Sequence, residues 1–310
     1  MIGIEEIRRA RSVVGEVALR TPLVPLNAPD LREGVHLKLE CLQPIGSFKI
    51  RGAWNAVRSL PAPPEALWTA SAGNMAQGTA LAARRLGVPS TVVVPDTAPA
   101  TKLAAVERLG GRIVKVSFDR WWQTFEDRSF PGIEGFFVHP FDDPAVMAGN
   151  GTIGLEILED LPGADAVLVP FGGGGLACGI AAAVKAVRPR TKVFAVEVAE
   201  SAPLQASLRA AAPQAVEHVK TFVDGIGGKG VFPGMFDLAR RLLDGSLTAT
   251  AEEIRGAVRL LAERNRIVAE GAGACAVAVA LAGRAGPGEI ACVVSGGNID
   301  AAVLAEILRG

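Results

Sequence analysis

The sequence predicts an α/β protein built of two doubly wound, mostly parallel sheet domains with a cleft between them. Short apolar runs alternate with helical patterns along most of the 310 residues, the order that builds parallel sheets through βαβ crossovers. The alternation falls into two series, each long enough for its own core. Three turns rich in Gly, Ser and Asn follow strand ends, where open α/β sheets collect ligands.

The chain opens on MIGIEEIRRARSVVGEVALR, apolar and acidic before it is basic. That is the reverse of a secretory signal and the pattern of an amphipathic helix. Two short apolar pieces, Leu23 to Leu26 and His36 to Leu39, precede the Lys49 region. After Pro64 the first series predicts strand Leu67 to Ala70, a helix to about Leu86, strand Thr91 to Val94 and a helix from Pro99 to Leu109. Strand Arg112 to Val116, a weaker helix at Trp121 to Arg128 and strand Phe136 to Val138 complete a four-stranded parallel unit.

The second series predicts helix Gly151 to Asp160, strand Ala166 to Val169, helix Leu176 to Val187 and strand Lys192 to Val198. Helices at Ala202 to Ala211, Ala251 to Asn265 and Gly271 to Ala282 follow, then strand Glu289 to Val294 and helix Asp300 to Leu308. The opening pieces hold too few strands for a sheet of their own, so they are expected on the second unit. Residues 1–57 and 142–310 then form a large domain, and 58–141 a smaller inserted one.

Lys plus Arg and Asp plus Glu both number 32. With no net charge, binding to nucleic acid or anionic lipid through bulk electrostatics is excluded and a small-molecule partner is expected. Cys41, Cys178, Cys275 and Cys292 form no C-x-x-C, and with only His36, His139 and His218 no metal-ligand spacing appears. Reduced cysteines in a cytoplasmic protein are the expectation. No apolar run approaches the ~18 residues of a membrane span.

Phe171 is followed by Gly172, Gly173, Gly174 and Gly175 at a strand-to-helix junction. Backbone N–H groups and a helix N-terminus converge there without any Cβ in the way, which makes an anion site, above all for phosphate. Gly172, Gly174 and Ala177 also fit the loose dinucleotide fingerprint, with Glu197 ending the next strand near where a ribose-binding acid sits. A P-loop is excluded, since no Lys-Ser or Lys-Thr follows.

The segment QPIGSFKIRGA sets Lys49 between Phe48 and Ile50. A desolvated lysine there titrates low and forms Schiff bases, whereas an exposed one is a helix-start lysine and nothing more. Ser71, Ala72, Gly73 and Asn74 end a strand and start a helix of small residues, a second anion site suited to a carboxylate; a plain Ser N-cap explains Ser71 equally well. Ser295, Gly296, Gly297 and Asn298 make the third turn.

Together these segments resemble the serine/threonine dehydratase and serine racemase family, enzymes of the tryptophan-synthase-β-like fold type II that depend on pyridoxal 5'-phosphate (PLP). TPL at Thr21 to Leu23, the lysine segment, TASAGN ending at Asn74, HPFDDP at His139 to Pro144, GTIGLEIL at Gly151 to Leu158, the glycine loop and SGGN at 295 to 298 occur in family order. The resemblance implies that Lys49, next to Phe48, carries PLP as a Schiff base and removes the substrate Cα proton. It implies that Gly172 to Gly175 and the N–H of Leu176 hold the phosphate, that Asn74 bonds the phenolic oxygen and that Ser295 faces the pyridine nitrogen. Gly225 and Glu270 border the ring, Ser71 to Asn74 bind the substrate carboxylate, and the small domain gates the substrate. The implied reaction is β-elimination from L-threonine to 2-oxobutyrate and ammonia, and from L-serine to pyruvate and ammonia, by a homodimer or homotetramer.

Three positions depart from the family. Ala72 stands where racemases have a serine; alanine cannot donate a proton, which favours dehydration over racemization. Met75 replaces a customary His, and Pro203 replaces the Asp that would join Glu197 around a divalent metal, so Glu197 stands alone as a metal-ligand candidate. β-Replacement enzymes instead read SVKDR around the lysine. A nicotinamide-dependent oxidoreductase would explain the glycine loop and Glu197 but not Lys49 or SAGN, and a non-catalytic binding protein would not need Lys49, Asn74 and Ser295 together.

Overall fold

The computed structural model describes residues 2–28, 34–98 and 100–310. Helix α1 (Ile4–Val14) turns Ile7, Ala10 and Val14 inward, at the three- and four-residue spacing of one helix face. Strands β1 (Leu23–Pro25) and β2 (Val35–Lys38) pair antiparallel, and α2 (Lys49–Arg58) begins at the lysine itself. The inserted series follows: β3 (Leu67–Ala70), α3 (Asn74–Leu86), β4 (Ser90–Pro95), α4 (Ala100–Arg108), β5 (Gly111–Val116), α5 (Phe118–Asp127) and β6 (Phe136–Phe137). These strands form a parallel sheet in the order β5-β4-β3-β6. Pro99, the expected start of the fourth helix, lies outside the described residues.

The chain then returns through α6 (Pro144–Asp160), β7 (Ala166–Pro170), α7 (Gly175–Val187), β8 (Lys192–Val198), α8 (Pro203–Ala210), α9 (Pro233–Leu242) and β9 (Gly245–Ala249). It ends with α10 (Ala251–Leu260), α11 (Gly271–Leu281), β10 (Ile290–Val293) and α12 (Ala301–Arg309). The six-stranded order is β1-β2-β10-β7-β8-β9, parallel from β2 onward. Strands β1 and β2 thus lie in the same sheet as the strands of the second series.

Period-two alternation makes this sheet two-faced. Leu168 and Val196 pack with α10 and α11, whereas Val167, Val169 and Ala195 pack with α6, α7 and α9. Helices on both faces explain why the strands read as continuous apolar runs. Each fully buried Val or Leu contributes roughly 1.5–3 kcal/mol.

Three differences from the sequence reading have physical causes. Helix α6 starts at Pro144, seven residues before the expected Gly151, with Asp143 accepting from the N–H groups of Ala145 and Val146. Its glycines suggest a loop but serve close packing: a Cβ on Gly149 would lie 2.5 Å from the Arg51 carbonyl oxygen, and one on Gly154 2.9 Å from that of Ile180. Strand β9 and helix α9 escaped the apolar-run criterion. GSLTA is an edge strand, largely half-buried, and PGMFDLARRL opens with two turn formers. Helix α10 ends at Leu260 and continues to Asn265 only as a π-helical turn.

Candidate active site

A cleft of about 800 Å³ lies where the C-terminal ends of β3, β7 and β10 face one another, lined from both sheets. Phe48, Lys49, Ser71 to Asn74, Gly172 to Gly175, Leu176, Gly225, Glu270 and Ser295 all border it. Met75 and Asn298 join them. Glu197 does not.

Lys49 opens α2, and its Nζ donates to the Pro140 carbonyl at 2.6 Å and lies 5.1 Å from the Phe48 ring centroid. Desolvation pulls the amine down to about 8, with the Glu270 carboxylate acting the other way. A useful fraction is therefore unprotonated and nucleophilic near neutral pH.

Two groups of backbone amides line the same cleft as this lysine. Among the described residues, the N–H groups of Gly172 to Ala177 meet no acceptor, and they surround the N-terminus of α7. Gly174, at φ +93°, caps that helix in a conformation that side chains rarely adopt. At the start of α3 the N–H groups of Asn74, Met75 and Ala76 are likewise unbonded among the described residues. Helix N-termini with free amides favour anions.

Asn74 joins the two halves of the floor. Its Nδ2 donates to Glu270 Oε1 at 2.7 Å, and its Oδ1 accepts from Asn298 Nδ2 at 2.7 Å. Burial raises the Glu270 carboxyl, opposed by the Asn74 hydrogen bond and by Lys102 and Lys49. Phe48 N–H donates to the Ser295 carbonyl, which ties the lysine turn to the end of β10. The Ser295 hydroxyl makes no hydrogen bond among the described residues.

Glu197 is fully buried and its oxygens accept from the N–H groups of Leu204 and Gln205 at 2.8 Å and from the Ser246 hydroxyl at 2.6 Å. It caps the start of α8 and holds β9. Both carboxylate oxygens are engaged away from the cleft, so neither the ribose role nor the metal-ligand role fits it. Among the described residues no group of three His, Cys, Asp or Glu side chains is placed to hold a metal. The four cysteines are free.

Pro140 and Asn298 lie within the HPFDDP and SGGN segments but have no role assigned from the sequence. Nor have Lys102 and Thr101 of α4, which reach Asp224 and Asp300 across the mouth of the cleft. A lysine on a short surface helix carries no signal of its own.

The family described as "Pyridoxal-phosphate dependent enzyme" matches residues 15–296. The chain belongs to this family of pyridoxal-phosphate dependent enzymes. It is 40% identical to the L-threonine ammonia-lyase of Thermotoga maritima over 316 aligned residues, covering all of this chain and 79% of that one. It is 36% identical to a putative threonine dehydratase of Sinorhizobium fredii, covering 100% and 96%. Among solved structures, a threonine deaminase of T.th. is similar at TM-score 0.85 and 35% identity, covering 96% of this chain and 99% of that one. Maize serine racemase is similar at TM-score 0.88 and 29% identity, covering 99% and 97%.

The cleft fits the cofactor of this family. A low-titrating lysine stands beside a glycine-lined cradle of free amides, the donor set that a phosphorylated aldehyde requires. No helix among the described residues is long and apolar enough to cross a membrane.

Proposed function

We propose that this PLP-dependent enzyme removes the β-hydroxyl of L-threonine, yielding 2-oxobutyrate and ammonia, and treats L-serine likewise, yielding pyruvate and ammonia. The observation that carries the proposal is Lys49 lining one cleft with two separate groups of free amides, one suited to a phosphate and one to a carboxylate. When bound, PLP supplies a reactive carbonyl and an electron sink that acidifies the substrate Cα–H.

The chain's own residues would do the rest. The amides of Gly172 to Gly175 and Leu176 hold the phosphate, and those at Asn74 and Met75, with Ser71, orient the substrate carboxylate. Lys49 Nζ takes the Cα proton, and its low pKa makes it a competent base near neutral pH. Asn74, fixed by Glu270 and Asn298, keeps one Nδ2 hydrogen to spare, which would be available to the cofactor ring. Gly225, which lines the cleft, would border the cofactor ring, and Ser295 would offer the pyridine nitrogen a hydroxyl rather than a carboxylate, which would moderate the electron sink.

Residues 58–141 act in this proposal as the substrate-gating domain over a core of 1–57 and 142–310, in a cytoplasmic homodimer or homotetramer. Light scattering checks the assembly, and a monomer would contradict it. Similarity to a serine racemase makes racemization the second reading, against which Ala72 offers no proton donor. A spectrum from 300 to 500 nm with ammonia and 2-oxo acid assayed on L-threonine tests the reaction. The expected result is a band near 410 nm and equimolar products, both lost in Lys49→Ala; D-serine from L-serine without oxo acid would shift the assignment to racemization.

A further inference from the structure

The HPFDDP segment lies in the wall of the cleft but supplies no reacting group. His139 is the second residue after β6; between them Val138 is held to β3, its N–H donating to the Trp68 carbonyl and its carbonyl accepting from the Thr69 hydroxyl. Its Nδ1 accepts from the N–H groups of Phe141 at 3.2 Å and Asp142 at 2.8 Å. Those two bonds close residues 139–142 into a tight turn. Two consequences follow at the site. The Pro140 carbonyl, within the turn segment, receives Lys49 Nζ at 2.6 Å. Phe141 lies under the glycine loop, so that a Cβ on Gly173 would stand 2.2 Å from its ring and one on Gly175 2.6 Å from its carbonyl oxygen.

We propose that His139 is a positioning residue for both halves of the cofactor site, its Nδ1 holding the turn that presents the Pro140 carbonyl to Lys49 and seats Phe141 beneath the glycines. Accepting from two amides requires an unprotonated Nδ1, so the proton is on Nε2. Nε2 is buried without a hydrogen-bond partner among the described residues, inside the edge-on rings of Phe125, Phe137 and Phe141. The charges facing the imidazole are Arg128, itself paired with Asp142, and Lys49. Burial, then those two cations, pull it down to about 3. It is therefore a fixed neutral acceptor and neither an acid nor a base in turnover.

The inference rests on the PLP reading, and its test separates the two. His139→Phe keeps an aromatic ring in the packing but removes the acceptor; His139→Asn supplies a side-chain oxygen able to accept from amides two and three residues onward. Apoprotein of each is mixed with PLP across pH, and covalent attachment is followed at 410 nm. A carbonyl accepting from the amine favours its charged form, so losing that bond in the Phe variant lowers the pH midpoint of attachment by about one unit relative to wild type. Cofactor affinity and kcat fall by about tenfold or more while KM for threonine stays within about threefold. The Asn variant returns the midpoint to within about 0.3 units of wild type. A folded Phe variant with wild-type midpoint and affinity overturns the proposal, as does an Asn variant that behaves like Phe. If circular dichroism shows the Phe variant unfolded, the Asn variant decides: a wild-type midpoint supports the role and a lowered one overturns it. Failure of the wild type to attach PLP would instead refute the family chemistry.

Discussion

Replacing Arg51 by Met should lower the melting temperature by about 5–8 °C. Arg51, two residues beyond Lys49, is 1% exposed and makes six hydrogen-bonding contacts through its five N–H groups, one of the two Nη2 hydrogens being shared. Two go to Glu40, one to each carboxylate oxygen at 2.8 Å, two reach Glu156 at 2.7 and 2.9 Å, and the others go to Thr152 and the Leu19 carbonyl. Lys38 completes the cluster, donating to Glu156 and to the Thr21 carbonyl at 2.6 Å. Two cations thus balance two carboxylates out of contact with water. Desolvation pushes the Glu156 carboxyl up, but Arg51 and Lys38 outweigh it and hold it below the usual range. Removing the guanidinium leaves two buried carboxylates sharing one ammonium, a loss of about 3–5 kcal/mol. At about 2.1 cal/mol/K of unfolding entropy per residue, a 310-residue chain has an entropy of about 0.65 kcal/mol/K, which converts that loss to the stated shift. Differential scanning calorimetry of the apoprotein at pH 7.5 measures it. Arg51→Lys, which keeps the charge but loses the planar fork, should fall between the two. A loss below about 2 °C for Arg51→Met would refute the claim that this cluster holds α2, and with it Lys49, in place.

Further outcomes follow from the same geometry. In Glu270→Gln the charge that favours protonated Lys49 disappears, so the amine, already depressed to about 8, titrates lower still. The pH midpoint for PLP attachment to the apoprotein should move down, and an upward move would contradict the assigned coupling. Gly173→Ala drives a Cβ into the Phe141 ring and should weaken PLP binding by about tenfold, one such loss being worth about 1.4 kcal/mol; fluorescence titration with PLP reads it, and wild-type affinity would contradict a shaped cradle. Glu197→Gln weakens the acceptor at the start of α8 and should cost about 1–2 kcal/mol of stability in urea unfolding, while EDTA leaves the activity of the wild type unchanged. Loss of activity on chelation would revive the metal role.

The doubly wound architecture was legible because both faces of the large sheet are covered by helices. Val167 and Leu168 point to opposite cores, yet both are apolar, so the strand announces itself as a run. The same rule hid β9, whose residues are mostly half-buried at a sheet edge and so include Gly, Ser and Thr. Glycine was ambiguous in another way. In the 172–175 loop it follows a strand and marks exposed amides, but in α6 the Gly149 and Gly154 positions admit neighbouring backbone, and only the packed helices tell these uses apart.

Residue type and position single out a lysine among apolar neighbours and the polar turns after strands, whereas Gly225, Glu270 and the individual roles come only from the family resemblance. What stayed hidden acts through the main chain or through neutralised charge. The partner of Lys49 is the carbonyl of Pro140, for which no side chain stands as a signal, and its aim depends on a histidine that never titrates in the working range. Arg51 reads as one more basic residue until Glu40, Glu156 and Lys38, spread over 118 positions from Lys38 to Glu156, are seen to meet. Glu197 shows the opposite error: placed at the strand end where a ribose-binding acid belongs, it faces the start of a helix instead. Position along a strand fixes the level at which a residue emerges, whereas the following residues decide whether it turns toward the cleft or into the protein.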